Sequence, residues 1–482
     1  MAKSAQPKPR VRLTEEFIRV QETCFMETAK FQKNNIVRSG IVFAILLSLV
    51  NLNGCRGGGG GGGGGSGDTS SDPVVAAAGD WQQTSIRSVN ASGLLTANLK
   101  VVADTGDRMH VVHYANSGDE FAIEYGVWDL SFRTLETLAA PQVVAIIDNS
   151  ATLGFALDSN GIPVMAYQGG EHRECGAEQS DVMISLAENG SWQEYLGAMG
   201  FVHRNPVLTD GLAGADADVV VDSHGDVHMC YQFSYEGCDA MNHNYPDLRY
   251  VKRERGLLGD ESSIGEETID GSLFPAFDYG IQNSVGYHCQ LVLDDAEKPV
   301  AFYAVAADQT DYGDQTAGLR AARRAGDGTW QLEWVEEDCE VVTLSAAQSE
   351  GDDTLAVAYA VKENNGVNTV YYLKFAQFKN DSWQVEIVDD SVSCGSYCSL
   401  AFDSAGQPAI AYYEIRSHTG RTLQNLKFAQ MIDDTWQTEP VAQSGDIGKY
   451  NNLWFDGNDR AHIATYSASQ DKIILFQHDR ES

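Results

Sequence analysis

SLAFDSAGQPAIAYYE (Ser399–Glu414) and, after a polar gap, NLKFAQMIDDTWQTEPVA (Asn425–Ala442) decide the fold of this 482-residue chain. SLAFD alternates apolar and polar residues, the pattern of a half-buried strand. The tight turn SAGQ follows, with Gly406 where permissive dihedrals are needed. PAIAYYE reads as a second strand and NLKFAQM as a third. Past the Asp433–Asp434 turn, WQTEPVA is a fourth, opened by Trp436. Four short strands joined by turns form one antiparallel sheet, whose two apolar faces need neighbours of the same kind.

Most of the chain is an imperfect copy of this unit. Trp330, Trp383 and Trp436 fall 53 residues apart, and Tyr359 and Tyr412 keep the same spacing. A four-strand unit of about 50 residues is the size of a propeller blade. The fold class predicted is all-β: a single β-propeller of seven four-stranded blades. Six fall near 97–140, 151–198, 216–270, 287–337, 341–389 and 398–442, the third with a weak last strand near Glu266–Asp270. The seventh is split. GDWQQTSIRSV (Gly79–Val89) matches a fourth strand alone, and residues 450–478 match strands one to three alone. The N-terminal strand is therefore expected to complete the last blade and leave no open ring edge. The recurring Trp is expected to pack between blades.

The chain carries 68 acidic and 33 basic side chains, a net charge of −35. Beyond Gly54 the balance is 64 acidic to 25 basic. Such a surface lacks the clustered Lys and Arg that nucleic acid requires, so no nucleic-acid partner is expected.

Residues 1–54 read as a leader, with 1–25 a gene-start artefact and Met26 the start. Lys30, Lys33 and Arg38 precede the apolar run Ile41–Val50, as in an export signal, and that run is short for a membrane span. Leu52-Asn53-Gly54-Cys55 resembles the lipobox of bacterial lipoproteins. The resemblance implies cleavage before Cys55, acylation of that residue and a lipid-anchored place in the bacterial cell envelope, at the outer membrane. Residues 55–75, dominated by poly-Gly, form a flexible tether. The propeller occupies 76–482.

The turns Asp158-Ser159-Asn160-Gly161, Asp222-Ser223-His224-Gly225 and Asp403-Ser404-Ala405-Gly406, with a G-x-W or D-x-W turn before strand four, carry a second resemblance. The units resemble bacterial propeller repeats of the sialidase-like and BNR-type families. This implies the fold over roughly 79–478 and no particular activity. Gly326-Asp327-Gly328-Thr329-Trp330 only approaches the Asp-box of true sialidases, itself a structural turn.

In this strand order the long irregular segments share one face, and function is expected where the repeat is broken. His172, Tyr235, His243, Tyr245, Tyr279, Tyr287, His288 and Tyr312 lie on or near it as ligand candidates. Arg173, Arg204 and Arg416 are the Arg residues a sialidase-like site would draw on. Asp308, Asp311 and Asp314 make an oxygen-rich loop that is a candidate for Ca²⁺, with a solvated turn as the alternative and no other cofactor expected. His110, His228 and His462 recur at one repeat position, which argues for structure rather than metal. Seven cysteines follow Cys55. In an oxidising compartment Cys175 and Cys238, Cys289 and Cys339, and Cys394 and Cys398 are candidate disulfides, with Cys230 a buried thiol. No catalytic residue is assigned. Three functions fit: a binding or adhesion module for glycans or envelope proteins, a degenerate sialidase-like hydrolase, or a scaffold of an envelope complex.

Overall fold

A computed structural model describes residues 77–478 apart from 90–97, 107, 118–119, 131–136, 148–152, 175–176, 189, 200, 205–206, 237–245, 272–283, 308–315, 351–353, 365–368, 392, 419–420 and 444. It is a seven-bladed β-propeller of four-stranded antiparallel blades. β1 (Trp81–Ser88) comes first in the chain and last in the ring. Blade one is β2–β5 (Lys100–Ala103, Arg108–Ser117, Glu120–Asp129, Thr137–Ile147), and blade two β6–β9 (Leu153–Leu157, Pro163–Glu174, Ala177–Glu188, Ser191–Ala198). A short β10 (Phe201–Arg204) leads into blade three, β11–β14 (Val207–Val221, Val227–Glu236, Asp247–Arg253, Glu266–Asp270). Blade four is β15–β18 (Ser284–Leu293, Pro299–Ala306, Gly318–Arg324, Trp330–Glu337), and blade five β19–β22 (Glu340–Gln348, Leu355–Asn364, Thr369–Lys379, Ser382–Asp389). Blade six is β23–β26 (Cys394–Phe402, Pro408–His418, Arg421–Ile432, Thr435–Ala442). Blade seven is β27–β29 (Ile447–Phe455, Ala461–Ser467, Lys472–His478) with β1 paired to β29 as its fourth strand. Among the described residues no helix is long and apolar enough to cross a membrane.

The first strand of each blade is the innermost, and each touches the inner strands of the blades before and after it in a closed circuit. An inner strand is an edge strand, and its outward N–H groups need partners. The preceding blade supplies them. Asp218 accepts from the Leu291 N–H, Gln290 from Ala346, Ser345 from Leu400, Ser399 from Leu453 and Asn452 from Val101, at 2.7–2.9 Å. The last bond joins blade seven to blade one. Blade two carries Gly154 at this register, where a Cβ would come within 2.8 Å of the Val219 N. There the two strands approach too closely for a side chain.

The outer strands are tied by the repeated Trp. Its indole N–H donates to a Glu on the fourth strand of the previous blade: Trp330 to Glu267, Trp383 to Glu333, Trp436 to Glu386 and Trp81 to Glu439. Its ring sits edge-on to an aromatic of that blade, as Trp383 does to Phe302 at 5.6 Å and Trp81 to Phe428 at 5.3 Å. Trp81 therefore occupies the slot after blade six, as closure by the N-terminal strand requires.

A third tie lies midway. Tyr359 and Lys374 of blade five meet Glu336 of blade four at 2.6 and 2.7 Å. Tyr303 and Arg320 meet Asp270 in the same way, at 2.7 and 2.8 Å, and Tyr412 and Lys427 meet Asp389. Blade seven loses all three partners together: its register equivalents are Thr465, Ile474 and, on blade six, Ala442. Blade one inverts the charges. Arg87 of β1 reaches Glu124 of β4 at 2.7 Å, with His113 in the Tyr position. Burying one charge without its partner is costly, so these groups change as sets.

The short turns between strands one and two are held by an Asp whose carboxylate accepts two backbone N–H bonds, as Asp403 does from Ala405 and Gln407. Where Gly is absent from the left-handed position, Glu297 and Asp459 take it, with φ of +54° and +57°. His110 and His228 brace such turns, each bridging the turn Asp and a tyrosine hydroxyl; His462 also reaches its turn Asp, at 3.1 Å. Their repeated role is structural. Burial works against ionisation of Asp104, yet N–H bonds from Arg108 and Gly106 hold its carboxyl down at about 2.

His113 generates a pH dependence. It is buried, and burial lowers its pKa from the ordinary 6.5 to about 4. Its Nδ1 donates to the Tyr114 carbonyl, and its Nε2 lies 3.7 Å from Glu124. Between pH 6.5 and 4 the unfolded chain binds a proton at this residue that the folded chain does not, so stability falls as pH drops through that window. The expected loss is at most roughly 3 kcal/mol. Urea unfolding at pH 7 and pH 4.5 checks this, with His113→Asn giving the shallower profile.

Candidate functional site

Of the eight ligand candidates, His243, Tyr245, Tyr279 and Tyr312 lie outside the described residues, as do Asp308, Asp311, Asp314, Cys55, Cys175 and Cys238. His172 and Tyr235 fall on β7 and β12 towards the irregular face, but their side chains are not among those described. Tyr287 and His288 are described, and they identify a repeated feature.

Both sit in the first half of β15, where pairing with β16 is interrupted between Val285 and Gln290. Gly286 has φ +88° and His288 φ +55°. The same break recurs in β23, with Gly395 at +100° and Tyr397 at +52°, and in β27, with Gly448 at +110° and Tyr450 at +53°. The glycine lets the inner strand lean on the previous blade: a Cβ on Gly448 would lie 3.1 Å from Tyr413 and 3.2 Å from the Asn425 carbonyl. The residue two positions on is then held left-handed, a conformation that costs of order 1–3 kcal/mol and clusters at functional sites. These positions lie on the inner strands of blades four, six and seven, on the face carrying the strand two–three connections.

At blades six and seven the feature becomes an aromatic patch. The half-buried rings of Tyr397 and Tyr450 are 4.9 Å apart, and Tyr397 meets Tyr413 at 5.9 Å. The Tyr413 hydroxyl donates to Asp446 and accepts from Gln424, both at 2.8 Å, while Lys449 pairs with Asp446 at 2.7 Å. Burial raises the Tyr397 and Tyr413 phenols above their ordinary range, so they stay protonated donors. The sequence reading missed Tyr397, Tyr413, Tyr450, Lys449 and Asp446. The detectable pattern was G-x-[HY] at 286–288, 395–397 and 448–450.

Clustered acids elsewhere are occupied. Asp222, His224 and Glu297 approach within 4.8 Å. However, Asp222 is engaged by Lys252 and His228, and Glu297 by the Ser223 N–H and hydroxyl. Ser404 and Asp459 make the same turn-to-turn contact between blades six and seven, which marks it as packing. An open groove between β14 and β18 is lined by Glu267, Asp270, Trp330 and Leu332. Its acids serve the inter-blade ties described above. Asp218, in the channel wall, is pushed up by burial despite the charge of Lys100, but it fills the ring position of Gln290, Ser345, Ser399 and Asn452.

Two expected disulfides are corrected. Cys289 does not face Cys339. It turns back towards blade three, its Sγ 3.2 Å from Cys230 Sγ and bonded to the Asp216 carbonyl. Cys339 lies in the blade four–five connection, near the Glu336 carbonyl. Cys394 and Cys398 share β23 but are separated by its bulge; their thiols face the carbonyls of Asp389 and Ala358. All five described cysteines are buried free thiols, Cys230 as expected.

No family model matches the chain, and no curated protein matches it. Among solved structures, a polysaccharide lyase of a new family, an ulvan lyase, aligns over 84% of this chain and 93% of its own at 9% identity, with a TM-score of 0.50. A ligand-bound structure of the lyase gives 84%, 95%, 8% and 0.51. The sialidase NanB from Streptococcus pneumoniae aligns over 84% of this chain and 70% of its own at 11% identity, with a TM-score of 0.40. At these identities the likeness to the lyase is one of fold.

Proposed function

We propose that this chain is a lipid-anchored propeller of the bacterial cell envelope that binds a glycan on its irregular face. The observation that carries the reading is the half-buried Tyr397–Tyr450 pair, backed by the buried Tyr413, with Asp446, Lys449 and Gln424 at its edge. Aromatic faces stack on the apolar side of a sugar ring, and fixed donors and acceptors beside them select its hydroxyls. The left-handed backbone at Tyr397 and Tyr450 holds the rings in place before a ligand arrives. The net charge of −35 favours a neutral or weakly charged glycan over a polyanionic one. The lyase with this fold acts, by its name, on a polysaccharide, which agrees with a carbohydrate ligand. A hydrolase reading asks for two free carboxylates of separated pKa, whereas Asp389, Asp270 and Asp446 are each engaged by a cation.

A glycan array probed with the purified protein tests the reading. Dose-dependent binding to one glycan class is expected, weakened about tenfold or more by Tyr450→Ala or Tyr397→Ala, near 1.4 kcal/mol. Folded protein that binds no glycan, or binding indifferent to both changes, contradicts it. The anchor is tested separately by fatty-acid labelling in a bacterial host: incorporation is expected in the natural chain and lost in Cys55→Ser.

A further inference from the structure

We propose that Cys230 and Cys289 are a redox site, oxidised to a disulfide that ties blade three to blade four. The two sulfurs belong to neighbouring blades and lie 3.2 Å apart inside one apolar cluster with Val285, Leu291, Ala301 and Tyr303. A disulfide needs an S–S separation of about 2.05 Å, so closure asks for roughly 1 Å of approach. Cys289 is placed to supply it. It lies in the interrupted part of β15, where no ladder pair with β16 holds residues 288 and 289.

The repeat provides the comparison. At the register of Cys230, facing the next blade, β20, β24 and β28 carry Ala358, Ala411 and Ala464. At the register of Cys289, β23 carries Cys398, which faces Ala358 and meets its carbonyl at 3.5 Å, with no cysteine opposite. The blade three–four interface puts cysteine on both sides of this slot. A lone buried cysteine is a small apolar side chain; a facing pair at contact distance is a cross-link in waiting.

The step balances with a low-molecular-weight disulfide as oxidant, such as oxidised glutathione. Two S–H bonds break and one S–S bond forms. The two electrons and two protons reduce the oxidant to two thiols. Attack requires a thiolate. Burial raises both thiols above their ordinary range. Exchange therefore runs while the interface between the blades is assembling or open, and the closed interface then shields the product.

The test uses the full chain, unfolded and reduced, then refolded in glutathione buffers of graded ratio, quenched, alkylated in denaturant and mapped without reduction. The expected result is a peptide linking Cys230 to Cys289, with Cys339, Cys394 and Cys398 alkylated. Reduction should lower the thermal midpoint by roughly 5 °C in the natural chain. It should leave Cys230→Ala, which installs the residue of blades five, six and seven, unmoved. Recovery of both Cys230 and Cys289 as alkylated thiols at the most oxidising ratio overturns the proposal.

Discussion

The structure depends on how the inner edge of each blade is satisfied. A blade presents a row of unpaired N–H groups to the channel, and water alone does not set their spacing. Here the side chain opposite a fixed register of one inner strand takes the N–H of the next: Asp218, Gln290, Ser345, Ser399 and Asn452. At these five junctions the register of a blade is thereby set by its predecessor; after blades one and two, which carry Lys100 and Gly154 at that position, it is not. A slip by one residue would turn an apolar side chain to that N–H and a polar one into the inter-blade core. The same constraint makes each residue conservative in role and free in type, since an Asp, Gln, Ser or Asn oxygen serves equally.

Around that inner ring, the outer ties vary in ways that identify each interface. The Tyr–cation–acid set between blades four and five and between five and six is absent between six and seven, and its polarity is reversed between seven and one, where Arg87 meets Glu124. A β1 strand carrying Arg87 would set a cation against Arg320, Lys374 or Lys427 if it closed blade three, four or five. The reversed pair thus favours the seam at which the chain ends meet, a use of like-charge cost to exclude wrong partners. Blade seven is the one assembled from both ends of the chain, so its closing interface is where such exclusion matters most.

Much of this was legible in the sequence. Strands two to four, the Asp turns, the recurring Trp and the split blade follow from alternation and spacing, and the weak strand at Glu266–Asp270 is where it was expected. The first half of strand one was not legible. After Tyr397 the run SLAF alternates, but Cys394–Tyr397 crosses a bulge with two left-handed residues, so period two fails before Ser399. Alternation therefore starts the blades late, at 398 and 450, and passes over Tyr397 and Tyr450. The cysteines failed for a related reason. Sequence order suggested that Cys289 looks forward to Cys339, whereas an inner strand in this ring packs back against the second strand of the previous blade.

The patch and the thiol pair both arise from that backward lean, and both depend on the closed ring. Native-state hydrogen exchange on the peptide Trp81–Ser88 tests it most directly. In the closed ring these amides exchange as slowly as those of Thr435–Ala442, the outermost strand of blade six, whose outward N–H groups are equally unpaired. Exchange at the rate of a frayed chain end, with Thr435–Ala442 still protected, would contradict it.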